Sequence, residues 1–193
     1  LLVTLVWVMM SAAASVPLMM AIPGLSFTDA YFEAMSGLTT TGSTVLTGLD
    51  ALPPSVNLWR SALHWFGGLG IIVLAVAVLP LLGVGGMQVY KAESPGPVKD
   101  EKLTPRITQT AKALWLVYTG ITAAGAIALH AAGMTWLDAI CHAFSAIGLG
   151  GFSTHDSGIG YYNSAAVEFV LILIMLTACM NFSRHFMAVQ KLS

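Results

Sequence analysis

Four stretches of this chain stay apolar for long enough to cross a lipid bilayer, and they constrain its fold more than any other feature. They run over about residues 1–22, 58–82, 111–132 and 165–189, and a helical crossing takes roughly 20 residues. Charged residues make up 9% of the sequence and hydrophobic ones 56%, with a mean hydropathy of +0.80; a soluble domain carries about 25% charged residues. Such a chain has too little polar surface to face water and reads as an all-α integral membrane protein. A formal net charge of −1 gives no reason to expect a nucleic-acid partner. The ten methionines suit lipid-facing and packed helices, and Cys141 and Cys179 have neither metal-site nor redox spacing. The chain starts at Leu1 with apolar sequence at once, so we expect a piece of a longer protein. The opening segment is too long, and lacks the basic flank, to be a signal peptide.

Two shorter segments lie between the long ones. "SFTDAYFEAMSGL" follows the first, and "TWLDAICHAFSAIGL" follows the third. Each has a helical pattern of only about three turns, or roughly 17 Å at 1.5 Å per residue. That reaches about half way through the hydrocarbon, so the chain must return. Each reads as a re-entrant helix with an extended return; a surface amphipathic helix is the alternative for either one alone. A shift of 109 positions relates the two. Gly24 then falls on Gly133, Ser26 on Thr135, Asp29 on Asp138, Ala30 on Ala139, Ser36 on Ser145, Gly42 on Gly151 and Thr44 on Ser153. The pairs Ser26/Asp29 and Thr135/Asp138 are capping-box-like helix starts. The chain therefore contains two copies of span, short helix, glycine loop, span.

Each copy has an even number of spans, so both have the same orientation: they are parallel rather than inverted repeats. Lys91, Lys99, Lys102, Arg106 and Lys112 lie in the hydrophilic linker, with Arg184 and Lys191 on the same side and only Arg60 opposite. The positive-inside rule places the linker in the cytoplasm and both short helices on the outer side. Asp29, Glu33, Asp50, Asp138, Asp156 and Glu168 fall on that outer side. Singly they read as solvated or capping residues; together they would concentrate cations at an entrance.

The first loop, within "SGLTTTGSTVLTG", packs five threonines, two serines and three glycines into thirteen residues. Irregular backbone at membrane depth must face protein or a polar path, because an unsatisfied carbonyl in hydrocarbon costs several kcal/mol. Carbonyls aimed at a pore axis replace an ion's hydration shell. Glycine permits the backbone angles this needs, and the C-terminal end of a short helix favours a cation. The stretch from Thr39 to Thr44 meets these requirements, and "GLGGFS" from Gly148 to Ser153 meets them in part. A flexible linker would explain the glycines but not their recurrence at the same offset after capped helices.

The blocks "AMSGLTTTGSTVL", "HWFGGLGIIVLAVAVLP", "AESPGP", "KLTPRI" and "SAIGLGGFSTHDSGIGYYNS" together resemble the transmembrane subunit of bacterial Trk potassium-uptake systems (TrkH-like), in the Trk/Ktr/HKT superfamily. The resemblance covers essentially the whole chain. It implies a potassium-channel-like fold of four span–pore-helix–span repeats around one potassium pathway, in a multi-pass protein of the bacterial inner membrane. Residues 1–90 would be the first repeat, 91–110 a cytoplasmic linker and 111–193 a nearly complete second repeat, with the third and fourth absent. By the family pattern, Gly42 and Gly151 are the filter glycines. The filter loops are Thr40, Thr41, Gly42, Ser43 and Thr44, and Leu149, Gly150, Gly151, Phe152 and Ser153. Potassium would be held at Thr41, Gly42, Gly150 and Gly151. The second loop lacks the threonine run, so backbone carbonyls would have to serve there. The resemblance also implies a homodimer and a cytoplasmic nucleotide-binding regulatory ring, with no cofactor in this chain. The linker is either that ring's docking surface or a solvated positive-inside loop.

An enzyme is not expected. Ser153, His155 and Asp156 are almost adjacent, and neighbours in one short loop rarely form a triad. There is no H-E-x-x-H or G-x-S-x-G motif. His64 and His142 read as polar interface residues. "FGGLG" from Phe66 to Gly70 and "GVGG" from Gly83 to Gly86 follow no strand, and small residues let membrane helices approach closely. Asn181 either lines the inner pathway or bonds a neighbouring helix. The rival functions are a proton- or sodium-coupled carrier with broken helices and a non-transporting membrane scaffold.

Overall fold

The structure, a computed structural model, describes residues 2–73 and 103–180. Among them are six α-helices and no strand: α1 (Leu2–Ala21), α2 (Phe27–Leu38), α3 (Pro54–Val73), α4 (Leu103–Ala131), α5 (Trp136–Ile147) and α6 (Ala165–Cys179). Short 3-10 turns at Leu49–Ala51 and Gly158–Tyr162 precede α3 and α6. Two helices, α1 over Thr4–Ala21 and α4 over Leu114–Ala131, are by themselves long and apolar enough to cross a membrane. The second and fourth expected spans begin in α3 and α6 and continue past the described residues. Linker residues 91–102, Gly83 to Gly86, Asn181, Arg184 and Lys191 also lie outside them. Helix α4 starts eight residues before the expected span, inside the stretch read as linker; Pro105 falls in its first turn, where a missing N–H costs nothing.

The chain divides into two compact units. The larger comprises Leu1–Gly68 and Gly120–Cys179 and contains both short helices and their loops. The other comprises Leu69–Thr119 and Met180–Ser193; its described part is the end of α3, the first half of α4 and Met180.

In the larger unit α1 lies along α2, and the core between them and α3 is built from Ala14, Leu18, Ala30, Ala34, Leu38, Val56 and Leu63. Alanines on the α2 face let the helices close up, and the Trp59 indole N–H donates to the Ala14 carbonyl at 3.0 Å. The outward faces are apolar: Leu5, Met9 and Met20 on α1 and Phe169, Ile172 and Leu176 on α6 are exposed. Water-facing surfaces rarely carry so large an apolar area, whereas a bilayer-facing one does.

Both short helices are 12 residues long and start with the expected cap. The Asp29 N–H donates to Ser26 Oγ at 3.1 Å while that hydroxyl donates to Asp29 Oδ2 at 2.7 Å. Thr135 and Asp138 repeat the arrangement at 3.2 and 2.7 Å. Each cap satisfies an amide the helix itself leaves unpaired, worth about 1 kcal/mol.

Candidate functional site: two paired loops behind short helices

The two short helices also end alike. The Thr40 N–H donates to the Gly37 carbonyl at 3.0 Å and the Thr41 N–H to the Ser36 carbonyl at 2.9 Å. In the second copy Leu149 donates to Ala146 at 3.1 Å and Gly150 to Ser145 at 2.9 Å. This paired closure is a Schellman motif, which needs a left-handed residue after the C-cap. That residue is not glycine in either copy: Thr40 has φ 53° and Leu149 φ 56°. The glycines come two residues later, with φ 78° at Gly42 and 93° at Gly151, so each loop turns left-handed twice within three residues.

The fold brings the loops together. A Cβ on Gly42 would lie 1.7 Å from the Gly150 carbonyl oxygen, whereas one on Gly151 would meet nothing within 4 Å. Helix α3 packs between the two copies by the same device. A Cβ on Gly67 would lie 2.0 Å from the Leu38 carbonyl at the end of α2, and one on Gly150 would lie 2.2 Å from His64 Nδ1. Gly67 thus has the close-approach role expected of "FGGLG". His64 is fully buried, sits 3.0 Å from Ser145 Oγ and stacks on Phe152 at 4.1 Å, the interface role expected of it.

Behind the loops lies a buried ion pair that the sequence reading missed. Arg60 Nε donates to Glu33 Oε1 at 2.7 Å, with the side chains 1% and 0% exposed. Glu33, expected to be a solvated or capping acid, is neither. It accepts the Thr44 hydroxyl at 2.8 Å and the Val45 N–H at 3.1 Å. Arg60 extends its other nitrogens to Thr44 Oγ1 at 3.1 Å, the Ser153 carbonyl at 3.1 Å and Asn57 Oδ1 at 3.3 Å. Its guanidinium lies 4.3 Å from the centre of the Phe152 ring. A signal was available: the one basic residue on the outer half of an apolar span must find a partner.

Thr44 Oγ1 also accepts the Leu46 N–H at 3.1 Å, so its hydroxyl is fully engaged. The Thr41 hydroxyl pairs with that of Thr39 at 2.8 Å. In the second copy His142 occupies the register of Glu33. Its Nδ1 lies 2.8 Å from the Asp138 carbonyl and so carries a proton; in the neutral ring Nε2 then accepts the Ser153 hydroxyl at 3.1 Å. The Ser153 hydroxyl therefore pairs with the His142 ring and not with the His155 ring; it accepts the His155 backbone N–H at 3.1 Å. Ser145 Oγ accepts the Gly151 N–H at 3.1 Å, anchoring the loop glycine to its own helix.

Outside the loops a second set of contacts ties the copies. Asp156 accepts the N–H groups of Gly48 at 2.9 Å and Leu49 at 3.1 Å, and its own N–H donates to Asp50 at 3.2 Å. His155 Nδ1 bonds Asp50 Oδ1, and the His155 ring stacks on Tyr161. The His155 bond first, then the Asp156 N–H, hold the Asp50 carboxyl below its usual range. Burial pushes the Asp138 carboxyl up, but hydrogen bonds from Thr154, Thr135 and Tyr162 outweigh it and hold it down. Asp29 and Asp138 cap helices, whereas Asp50 and Asp156 are latch residues.

Long apolar helices with exposed apolar faces, alternating with short capped helices, define an all-α integral membrane protein. The chain belongs to the TrkH family of cation transport proteins, whose family model matches residues 1–192. It is 54% identical over 189 residues to the Trk system potassium uptake protein TrkH of Vibrio parahaemolyticus, covering 97% of this chain and 39% of that protein. It is 52% identical over 187 residues to the protein of the same name from Escherichia coli K12, with 96% and 39% covered. The crystal structure of the potassium transporter TrkH from Vibrio parahaemolyticus superposes with a TM-score of 0.81 at 47% identity, covering 95% of this chain and 36% of that one. The chain thus spans about two fifths of the length of these relatives.

Proposed function

We propose that this chain is part of a Trk-type transmembrane subunit that takes up potassium across the bacterial inner membrane through a channel-like path. The observation that carries this reading is the meeting of Gly42 and the Gly150 carbonyl at the ends of two equivalently capped short helices. The names of the relatives support potassium as the substrate. Residues 1–90 and 111–193 are the first and second pore repeats, and 91–110 the cytoplasmic linker. Thr40 to Thr44 and Leu149 to Ser153 line the path, and potassium is coordinated at Thr41, Gly42, Gly150 and Gly151. Backbone carbonyls supply the oxygens, since the Thr44 and Ser153 hydroxyls are engaged elsewhere. The complete subunit works as a homodimer regulated by a cytoplasmic nucleotide-binding ring.

The test is rubidium uptake into proteoliposomes holding the complete subunit, with potassium and sodium as competitors. Wild type should take up rubidium, with potassium competing better than sodium, and Gly42→Ser should lose that preference in the protein that still folds, at a cost in stability from the crowding at the Gly150 carbonyl. Selectivity unchanged in folded Gly42→Ser would move a broken-helix carrier ahead. Folded wild type without flux, even with the regulatory ring present, would leave a scaffold.

A further inference from the structure

Arg60 reaches both loops at the same register. Thr44 and Ser153 are repeat partners, and Arg60 donates to the hydroxyl of one and the carbonyl of the other, each at 3.1 Å. Glu33 fixes the guanidinium from within the first copy, and Phe152 covers its face. The second copy builds its own hydroxyl bond without a charge, through His142. Burying an ion pair is a poor route to stability, because packed apolar residues of similar volume do as well or better. A rigid planar fork, by contrast, fixes several acceptors in set directions, as a lysine ammonium does not.

Resting on the cation-filter reading, we propose that Arg60 and Glu33 are positioning residues for selectivity, a buried clamp that sets the spacing of the two filter loops through Thr44 and the Ser153 carbonyl. The guanidinium occupies the Ser153 carbonyl, leaving Gly150 and Gly151 as the second loop's ion ligands. Glu33 neutralises the guanidinium, so the clamp adds no net charge beside a path for cations. The two members thus fail differently when altered. Arg60→Lys keeps the charge and loses the fork, so discrimination should fall while flux persists. Glu33→Gln keeps the shape and leaves a cation uncompensated, so flux of potassium and sodium should fall together.

The experiment is the rubidium competition assay on the complete subunit in proteoliposomes, with folding checked by size exclusion and thermal midpoint. Arg60→Lys should lower the potassium-over-sodium preference about tenfold, the factor that corresponds to about 1.4 kcal/mol, roughly one charge-assisted hydrogen bond lost, with rubidium uptake retained. Thr44→Val, which cuts one arm of the clamp and leaves the ion pair, should lower it too; Thr44→Ser should restore it. Combined with Arg60→Lys, Thr44→Val should lower the preference less than it does alone, because the arm it cuts is already lost. If Arg60→Lys does not fold, the contrast between Thr44→Val and Thr44→Ser decides. Wild-type preference in folded Arg60→Lys and Thr44→Val would overturn the clamp and leave the filter reading standing. A wild type without preference would overturn both.

Discussion

Thr40 and Leu149, 109 positions apart, hold the same left-handed backbone conformation, with φ of 53° and 56°. Neither is a glycine, and for a residue with a Cβ this region costs roughly 1–2 kcal/mol. The Schellman closure behind each residue holds it there. Leu149→Gly should therefore leave stability within about 1 kcal/mol of wild type, the relieved strain offsetting the packing lost from a side chain that is 46% exposed. The thermal midpoint in detergent checks this. A clear fall would mean that the leucine side chain, not the backbone, holds the turn.

Gly42 and Gly151 share a register but not a neighbourhood. Both have positive φ, yet only Gly42 has a carbonyl where its Cβ would go. Gly42→Ala should cost several kcal/mol of stability, strain and overlap together, and Gly151→Ala only about 1–2 kcal/mol of strain. Paired denaturation of the two variants tests the order. Equal losses would contradict the close approach of the two loops.

Asp50 gives the outer latch a predictable response to acid. Its folded pKa lies below the ordinary 3.8, first through His155 and then through the Asp156 N–H. A carboxylate depressed in this way stabilises the fold above its unfolded pKa and loses that contribution as pH falls through the folded value. Wild type should be more stable than Asp50→Asn at pH 6, and the difference should shrink as pH drops below about 4. Thermal midpoints of the two proteins across that window measure it. A difference constant with pH would show that the carboxylate's charge contributes nothing to the latch.

What was legible in the sequence followed from local chemistry. The caps at Ser26 and Thr135 need residues three positions apart, and the loop glycines were visible because they recur at one offset. "FGGLG" advertised close packing because a missing Cβ has few other uses in an apolar helix. The left-handed turns at Thr40 and Leu149 were hidden because neither residue favours that conformation alone. Glu33 and Arg60 are separated by 27 residues, and His155 and Asp50 by 105. Periodicity does not bring such residues together; only the packing of α2, α3 and α5 does. The Thr44 hydroxyl sits in a threonine-rich loop, but the partners that engage it come from other elements.

The most direct test of the central claim is to locate the ion. Crystals of the complete subunit grown with rubidium in place of potassium, measured at the rubidium absorption edge, reveal the site by anomalous scattering. The account predicts a peak between the ends of α2 and α5, in contact with carbonyl oxygens of Thr41 and Gly42 on one side and Gly150 and Gly151 on the other. Ordered rubidium found only away from these loops would contradict it.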